Sequence, residues 1–110
     1  MRGNGPGRRV RIYIGTNDQW HGTPLYAAIV QEARRRGLAG ATVTRGIMGY
    51  GAHSTIHEPH LLRLSSDLPV VIEIVDSDEK VRAFFPCLDE MVQEGMITTS
   101  EVEIIKYSKG

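Results

Sequence analysis

A glycine-rich segment, preceded by an arginine and followed by a serine, is the part of this sequence best suited to binding chemistry. It runs from Arg45 to Ser54 and has glycines at positions 46, 49 and 51. Glycine allows a positive φ or a close approach of the backbone to another group, and exposed backbone N–H groups can hold an anion. The glycines are ordered G-x-x-G-x-G, which differs from the dinucleotide-binding fingerprint. The turn from a strand directly into a helix, which that fingerprint requires, is also missing. A flexible connector between two strands is the alternative, because glycine clusters mark turns more often than sites.

Histidines follow the glycine-rich segment at a spacing that could bind a metal. His53, His57 and His60 are four and three residues apart, so on a helix they would share one face and could hold zinc or copper. Pro59 argues against a continuous helix there, and His21 could join only through folding or across subunits. The alternative is that these are solvated loop histidines. His53 and His57 are the candidate metal ligands.

Other residues that can do chemistry have simpler interpretations. Trp20 and His21 could form an aromatic wall for a base or a subunit contact, or Trp20 could pack on its own sheet. Ser54 lies near His53 and His57 in the sequence, so it could in principle be a nucleophile with a histidine base. No carboxylate stands at an expected place to orient that base. Cys87 is expected to be a small buried hydrophobic residue of the second helix. The sequence therefore predicts a protein that is not an enzyme.

Composition limits the class of protein. The 110 residues include thirteen basic and thirteen acidic side chains, so the net charge is zero and a general nucleic-acid binder is not expected. A single cysteine fits a reducing cytoplasm, and no apolar run is long enough to span a membrane. We expect residues 1–8 to be a flexible N-terminal segment, native or left from a cloning tag, and residues 9–110 to form one domain.

Hydrophobic periodicity predicts the elements that carry these residues. Thr23 is the expected N-cap of the first helix, which ends at Gly37. Asp76 with Glu79 is expected to cap the second helix. That helix contains Pro86 and ends at Gly95. The predicted strands are Arg9–Ile14, Ala41–Thr44, Pro69–Val75 and Val102–Tyr107. The order βαββαβ predicts an α+β ferredoxin-like sandwich with a long loop between strands 2 and 3.

The sheet face away from the helices is expected to be half apolar. Such a face is too apolar for full exposure, so a partner surface should cover it, and self-association is the simplest way to do so. The residues expected there are Arg11, Tyr13, Thr42, Thr44, Val71, Glu73, Val75, Ile105 and Tyr107.

Four stretches resemble the PII-like families of small signalling proteins. They are residues 11–15, 24–26, 40–51 and 67–75, and residues 88–95 fit the same pattern. The similarity is greatest to a bacterial and archaeal group of PII-like proteins of unknown function, and it covers roughly residues 9 to 107. It implies the ferredoxin-like fold and a homotrimer.

The resemblance also implies a function. In PII proteins the long loop after the second strand contacts partner proteins, and adenine nucleotides bind in clefts between subunits at its base. Here residues 46–67 occupy that loop, but the short acidic stretch Asp76–Glu79 stands where PII proteins have a second phosphate-binding loop. The expected ligand-binding residues are therefore Arg45, Gly46, Gly49, Tyr50, Gly51, Ser54 and Arg63.

Two functions follow from this. The first is a PII-like regulatory protein that binds a small anionic ligand, with an adenine nucleotide as candidate, and acts on a transporter or enzyme through residues 46–67. The alternative is a metal-binding or metal-tolerance trimer that uses the loop histidines. Fold alone cannot choose between them.

Overall fold

The computed structural model describes residues 4–51 and 67–109, which form one four-stranded sheet, a two-stranded hairpin and two helices. The sheet order is β4-β5-β1-β6, and every neighbouring pair is antiparallel. This is the predicted ferredoxin-like α+β topology. The elements in chain order are β1 (Gly5–Gly15), β2 (Gln19–Trp20), β3 (Thr23–Pro24), α1 (Leu25–Arg35), β4 (Ala41–Arg45), β5 (Pro69–Asp76), α2 (Asp78–Met91) and β6 (Met96–Ile104).

The core lies between the sheet and the two helices. Side chains of a strand alternate between its two faces, and in β5 and most of β1 every second residue is buried. Both helices bury an apolar stripe at helical spacing against that face. The largest fully buried apolar side chains of this core are Val10, Ile12, Ile29, Val70, Ile72, Ile74, Val81, Phe84 and Leu88.

Both helices begin one residue later than predicted, and for the same reason. Thr23 pairs with Trp20 in the β2–β3 hairpin, so α1 starts at Leu25 behind Pro24 and has no side-chain cap. At α2 the N-cap is Ser77, whose hydroxyl accepts the Lys80 N–H at 3.3 Å. The capping pattern assigned Thr23 and Asp76 to the helices. In the structure Thr23 is paired in the hairpin and Asp76 is paired in the sheet.

Asp76 is the last residue of β5 and not a helix cap. Its side chain is fully buried and accepts N–H groups from Ala39 at 2.9 Å and from Ser77 at 2.6 Å. The carboxylate therefore joins the α1–β4 connection to the start of α2. Two backbone N–H donors supply the hydrogen bonds that a buried carboxylate needs.

The first and last strands of the sheet differ from the prediction. β1 begins at Gly5 and not at Arg9, so Gly5–Arg8, which the sequence placed in the N-terminal segment, pair with β6. β6 spans Met96–Ile104, where the sequence predicted Val102–Tyr107. Threonine and serine within β6 weaken its hydrophobic alternation, which is why the pattern alone missed its beginning.

The outer sheet face consists mainly of the predicted residues. Arg11 is paired with Glu73 in register, and its Nε donates to Glu73 at 2.9 Å. This ion pair raises the pKa of Arg11. Ile105 and Tyr107 lie beyond β6 and were wrongly assigned to this face. β6 instead contributes Met96, Thr98, Ser100 and Val102.

Candidate functional site

Pro69 determines the conformation at the start of the glycine-rich segment. The Gly46 N–H donates to the Pro69 carbonyl at 2.7 Å. A Cβ on Gly46 would lie 2.7 Å from the Pro69 Cγ, and one on Gly49 would lie 2.9 Å from it. Neither glycine has a positive φ. The sequence analysis expected either a positive φ or a close approach of the backbone at these glycines. Close approach is the one that applies, and the group approached is the Pro69 ring.

A cavity of about 380 Å³ lies beside this segment, at the end of the sheet where β1 stops and β5 and β6 begin. Its volume falls in the usual range for small-molecule sites, about 300–1,000 Å³. Gly49, Tyr50 and Gly51 contribute one wall. The other described lining residues are Tyr13, Ile14, Gly15, Asp18, Asp67, Leu68, Pro69, Glu94, Gly95 and Met96.

Hydrogen bonds join two of the chain segments that line this cavity. Asp67 Oδ1 accepts the Asn17 N–H at 3.0 Å, and the Thr16 hydroxyl accepts the Leu68 N–H at 3.1 Å. The Thr16 N–H donates to the Leu68 carbonyl at 2.9 Å, and Asp18 Oδ2 accepts the Gly15 N–H at 2.9 Å. The residues that lead into β5 are thereby tied to the turn that follows β1.

The charged lining residues of the cavity, within the described part of the chain, are all carboxylates: Asp18, Asp67 and Glu94. Tyr13 and Tyr50 add two aromatic rings. Such a lining suits a group that donates hydrogen bonds and has a flat face, and it disfavours a phosphate inside the cavity.

Arg45 is the last residue of β4 and does not line the cavity. It pairs with the buried Val70, so its side chain leaves the sheet on the helix side, and it is exposed. The structure thus brings Gly49, Tyr50 and Gly51 into the lining of the cavity and leaves Arg45 and Gly46, at the end of β4, outside it. Ser54, Arg63, His53 and His57, the remaining candidate ligands, lie outside the described residues.

The sequence interpretation missed Tyr13, Asp67 and Met96 as cavity residues. No local signal marks them, because they belong to three separate parts of the chain that meet only in the folded sheet. Asp67 closely precedes the predicted third strand, and a polar residue at a strand end was the one available hint.

The β2–β3 hairpin presents the aromatic pair Trp20 and His21. The rings are stacked, with centroids 4.3 Å apart and planes 17° from parallel. His21 and Gly22 both have positive φ, 49° and 81°, as a two-residue turn of a tight hairpin requires. Trp20 also packs partly against the core, which agrees with the simpler interpretation of this tryptophan.

The acidic start of α2 is partly compensated by arginines. Asp78 accepts hydrogen bonds from Arg8 and from Arg82, the latter at 3.0 Å. The hydrogen bond from Arg8, with a smaller contribution from Arg82, lowers the pKa of Asp78. Arg8 itself is buried. The sequence analysis expected the negative charge of Asp76–Glu79 to disfavour a phosphate there. Arg8 of β1 partly neutralises that charge.

Cys87 lies partly buried on α2, 3.7 Å from the Met91 sulfur. Burial raises the pKa of its thiol, so the thiol stays protonated near neutral pH and is a poor nucleophile.

None of the described helices is long and apolar enough to cross a membrane.

The fold is similar to that of PII-like proteins of known structure. A PII-like signalling protein of Thermus thermophilus superposes with a TM-score of 0.64 at 19% identity and covers 94% of both chains. The nitrogen regulatory PII-like protein CPII of Thiomonas intermedia gives a TM-score of 0.61 at 18% identity, over 90% of this chain and 88% of that one.

Sequence comparison gives the family. Residues 7–104 match the DUF190 family, described as "Uncharacterized ACR, COG1993", and the chain belongs to it. A UPF0166 protein of Aquifex aeolicus is 41% identical over 98 residues, which cover 87% of this chain and 90% of that protein. A UPF0166 protein of Methanocaldococcus jannaschii is 36% identical over 98 residues, 88% of this chain and 90% of its own length.

Proposed function

We propose that this protein is a PII-like regulatory protein without catalytic activity of its own. It binds a small anionic ligand at the base of the 46–67 loop and acts on a partner protein, a transporter or an enzyme, through that loop. The working form is a cytoplasmic homotrimer, and each copy is a single domain that includes β1 from Gly5 onward.

One observation carries this proposal: the cavity is lined by both ends of the loop. Gly49–Gly51 and Asp67–Pro69 face the same space. A ligand in the cavity would contact both ends at once and so favour one arrangement of the segment between them. A ligand shifts a conformational equilibrium only through such differential contacts.

An adenine nucleotide is the candidate ligand. CPII of Thiomonas intermedia has been solved with ADP and bicarbonate and with ADP, AMP and acetate. In this chain the carboxylates and the rings of Tyr13 and Tyr50 suit a flat base with an amino group. The phosphates would lie outside, toward Arg45, whose guanidinium is a fixed charge with a planar donor fork.

Calorimetry with ATP, ADP and AMP tests the proposal. Arg45→Ala should weaken nucleotide binding about tenfold to a hundredfold, because a hydrogen bond to a charged group contributes about 1.5–3 kcal/mol. Arg34→Ala is the matched control. That arginine is exposed in the last turn of α1, away from the cavity, and its removal should leave the affinity unchanged.

Two results would replace the proposal. If all three nucleotides give no heat and no thermal shift while Zn²⁺ or Cu²⁺ binds tightly, and His53→Ala with His57→Ala abolishes that binding, the protein is a metal-binding trimer. If neither class of ligand binds, Gly46 and Gly49 serve only to pack the segment on Pro69.

Light scattering tests the assembly separately. A trimer is expected at micromolar concentration, since the outer sheet face is half apolar and would be covered by neighbouring copies. A monomer mass at that concentration would contradict the homotrimer whatever the ligand proves to be.

A further inference from the structure

A second cavity is lined by residues of the β2–β3 hairpin and by residues at the end of α2, and the proposed function does not use it. Its volume is about 560 Å³, which falls in the usual range for small-molecule sites, about 300–1,000 Å³. We call it the hairpin cavity. Asp18 and Glu94 also line the cavity beside the glycine-rich segment, whereas Trp20, His21 and Gln93 do not.

The stacked rings of Trp20 and His21 both line the hairpin cavity. Trp20 packs partly against the core, so its ring is restricted, and stacking restricts the His21 ring in turn. Aromatic faces carry a partial negative charge and attract a cation, and tryptophan does so most strongly. The hairpin therefore supplies an ordered aromatic surface that suits a cationic group.

The charges of the described lining have the sign that such a group needs. Asp18 and Glu94 are acidic, and neither lysine nor arginine lines the cavity within the described part of the chain. A cleft bounded by one sign of charge concentrates ions of the opposite sign. Gln19 and Gln93 add amide oxygens that accept hydrogen bonds from N–H donors. This lining favours a cation that carries N–H groups.

Asp18 is fixed from both neighbouring elements. Its Oδ2 accepts the Gly15 N–H at 2.9 Å, and its own N–H donates to the Gly15 carbonyl at 3.2 Å. Its carbonyl accepts the Leu25 N–H at 2.8 Å. Asp18 is thereby tied to the end of β1 and to the start of α1. A carboxylate that is already ordered lowers the entropic cost of binding a ligand.

Glu94 and the apolar part of the lining are also set by packing. Gly95 has a φ of 147°, and a Cβ there would lie 2.5 Å from the Tyr13 carbonyl oxygen, so the backbone next to Glu94 lies close against β1. Leu25 and Met91 line the cavity and are buried, with 3% and 7% of their surface exposed. They offer an apolar contact to a carbon chain.

An organic cation fits this lining better than a metal ion. A metal ion needs several oxygen, nitrogen or sulfur ligands that converge on one point. In residues 4–51 and 67–109, no three histidine, cysteine or acidic side chains converge in that way. An organic cation instead uses carboxylates, aromatic faces and apolar contacts that are spread over its surface.

We propose that the hairpin cavity binds a small organic cation, an aliphatic ammonium compound. Its charged group lies beside the two carboxylates and the Trp20–His21 pair, and its carbon chain contacts Leu25 and Met91. This is a second ligand site, and it does not depend on whether the other cavity binds a nucleotide.

Fluorescence tests the site without any nucleotide. Trp20 is the single tryptophan of the chain, so its emission reports directly on the hairpin cavity. Titration with putrescine should change that emission saturably, whereas butanediol, which has the same carbon chain without the charges, should not. Nα-acetyl-lysinamide presents the same ammonium group as it stands on a protein. Tighter binding of putrescine assigns the site to free amines, and tighter binding of the lysine derivative assigns it to a lysine side chain.

Calorimetry of variants locates the bound cation. Trp20→Leu should weaken putrescine binding by about threefold to thirtyfold through the lost cation–π contact. Glu94→Gln should weaken it by about tenfold or more through the lost charge. His21→Asn, a residue type that tolerates positive φ, should weaken it even if circular dichroism shows that Trp20→Leu does not fold. Glu90→Gln is the matched control, because Glu90 is an exposed acid of α2 that does not line the cavity.

Three results would overturn the proposal. The first is a wild-type protein that shows neither a saturable fluorescence change nor heat with putrescine or Nα-acetyl-lysinamide. The second is equal binding of butanediol, which would leave only an apolar pocket. The third concerns Tyr50, which lines only the other of the two cavities. If Tyr50→Ala weakens putrescine binding while His21→Asn does not, the cation lies in the cavity beside the glycine-rich segment.

Discussion

At the scale of single residues, Pro69 packs closely against two glycines of the segment beside the cavity. The Pro69 ring occupies the space that side chains at positions 46 and 49 would need, and its carbonyl accepts the Gly46 N–H. A Cβ on Gly51, in contrast, would meet no atom of the described residues within 4 Å. The three glycines therefore do not have one common role.

Gly46→Ala is expected to lower the free energy of unfolding by about 1–3 kcal/mol, the usual cost of overpacking. The added methyl would overlap the rigid Pro69 ring. Thermal unfolding followed by circular dichroism measures the effect, with Gly51→Ala as the control of equal chemistry. Adding Pro69→Ala should recover most of the loss, and equal destabilisation by both alanines would contradict the packing argument.

Asp78 makes stability depend on pH. The hydrogen bond from Arg8 keeps the pKa of the folded state below the unfolded value of about 3.9. The ionised carboxylate therefore stabilises the folded protein above that pH, and this contribution disappears as the pH falls through the folded pKa. Asp78→Asn should lower the melting temperature at pH 7 and have little effect below the folded pKa.

Glu79→Gln is the control for that series. Glu79 lies in the same first turn of α2 and is exposed, so it experiences the same helix dipole without a buried arginine beside it. Its melting temperature should change less than that of Asp78→Asn at pH 7. An equal change in both would assign the effect to the dipole and not to Arg8.

At the scale of elements, Asp76 connects three parts of the chain at the end of the sheet opposite the cavity. It ends β5, bonds the Ala39 N–H before β4 and bonds the Ser77 N–H at the start of α2. Tyr107 adds a contact from the C-terminal segment, since its hydroxyl lies 3.4 Å from the Ala39 carbonyl. These bonds set where α2 and β4 begin relative to the sheet.

Asp76→Asn should destabilise the protein by about 1.5–3 kcal/mol, the value of a hydrogen bond to a charged group. An amide offers one oxygen where two N–H donors converge on a carboxylate, so one donor would be left without an acceptor. Urea unfolding of the variant measures the loss. Asp89→Asn, on the exposed side of α2, should be close to neutral, and an equally stable Asp76→Asn would show that the connection is dispensable.

At the scale of the whole molecule, the proposed ligand should link the two ends of the 46–67 loop. Nucleotide binding is expected to slow amide hydrogen exchange both at Gly49–Gly51 and at Asp67–Leu68, because both stretches line the cavity. Hydrogen-exchange mass spectrometry with and without ADP measures this, and Arg34–Arg36 provide a remote reference. Protection at only one of the two ends would contradict a ligand that bridges them.

Much of this architecture is predictable from the chain because it follows local periodicity. Alternation in β1 and β5 and the apolar stripes of both helices identify the core, the element order and hence the ferredoxin-like fold. The family resemblance rests on the same residues. The boundaries at Gly5, Ser77 and Met96 were not predictable, because pairing with distant strands overrides local capping and turn preferences.

The sequence by itself determined the fold and the glycine-rich segment as the place to look for a site. Only the tertiary structure decided what those glycines approach and which residues form the cavity. Tyr13, Asp67 and Met96 come together through sheet pairing across more than fifty positions of the chain, and no local pattern encodes such a contact. Sheet pairing also determines the position of Arg45. Its strand, β4, pairs with β5 on one side and is an outermost strand of the described sheet.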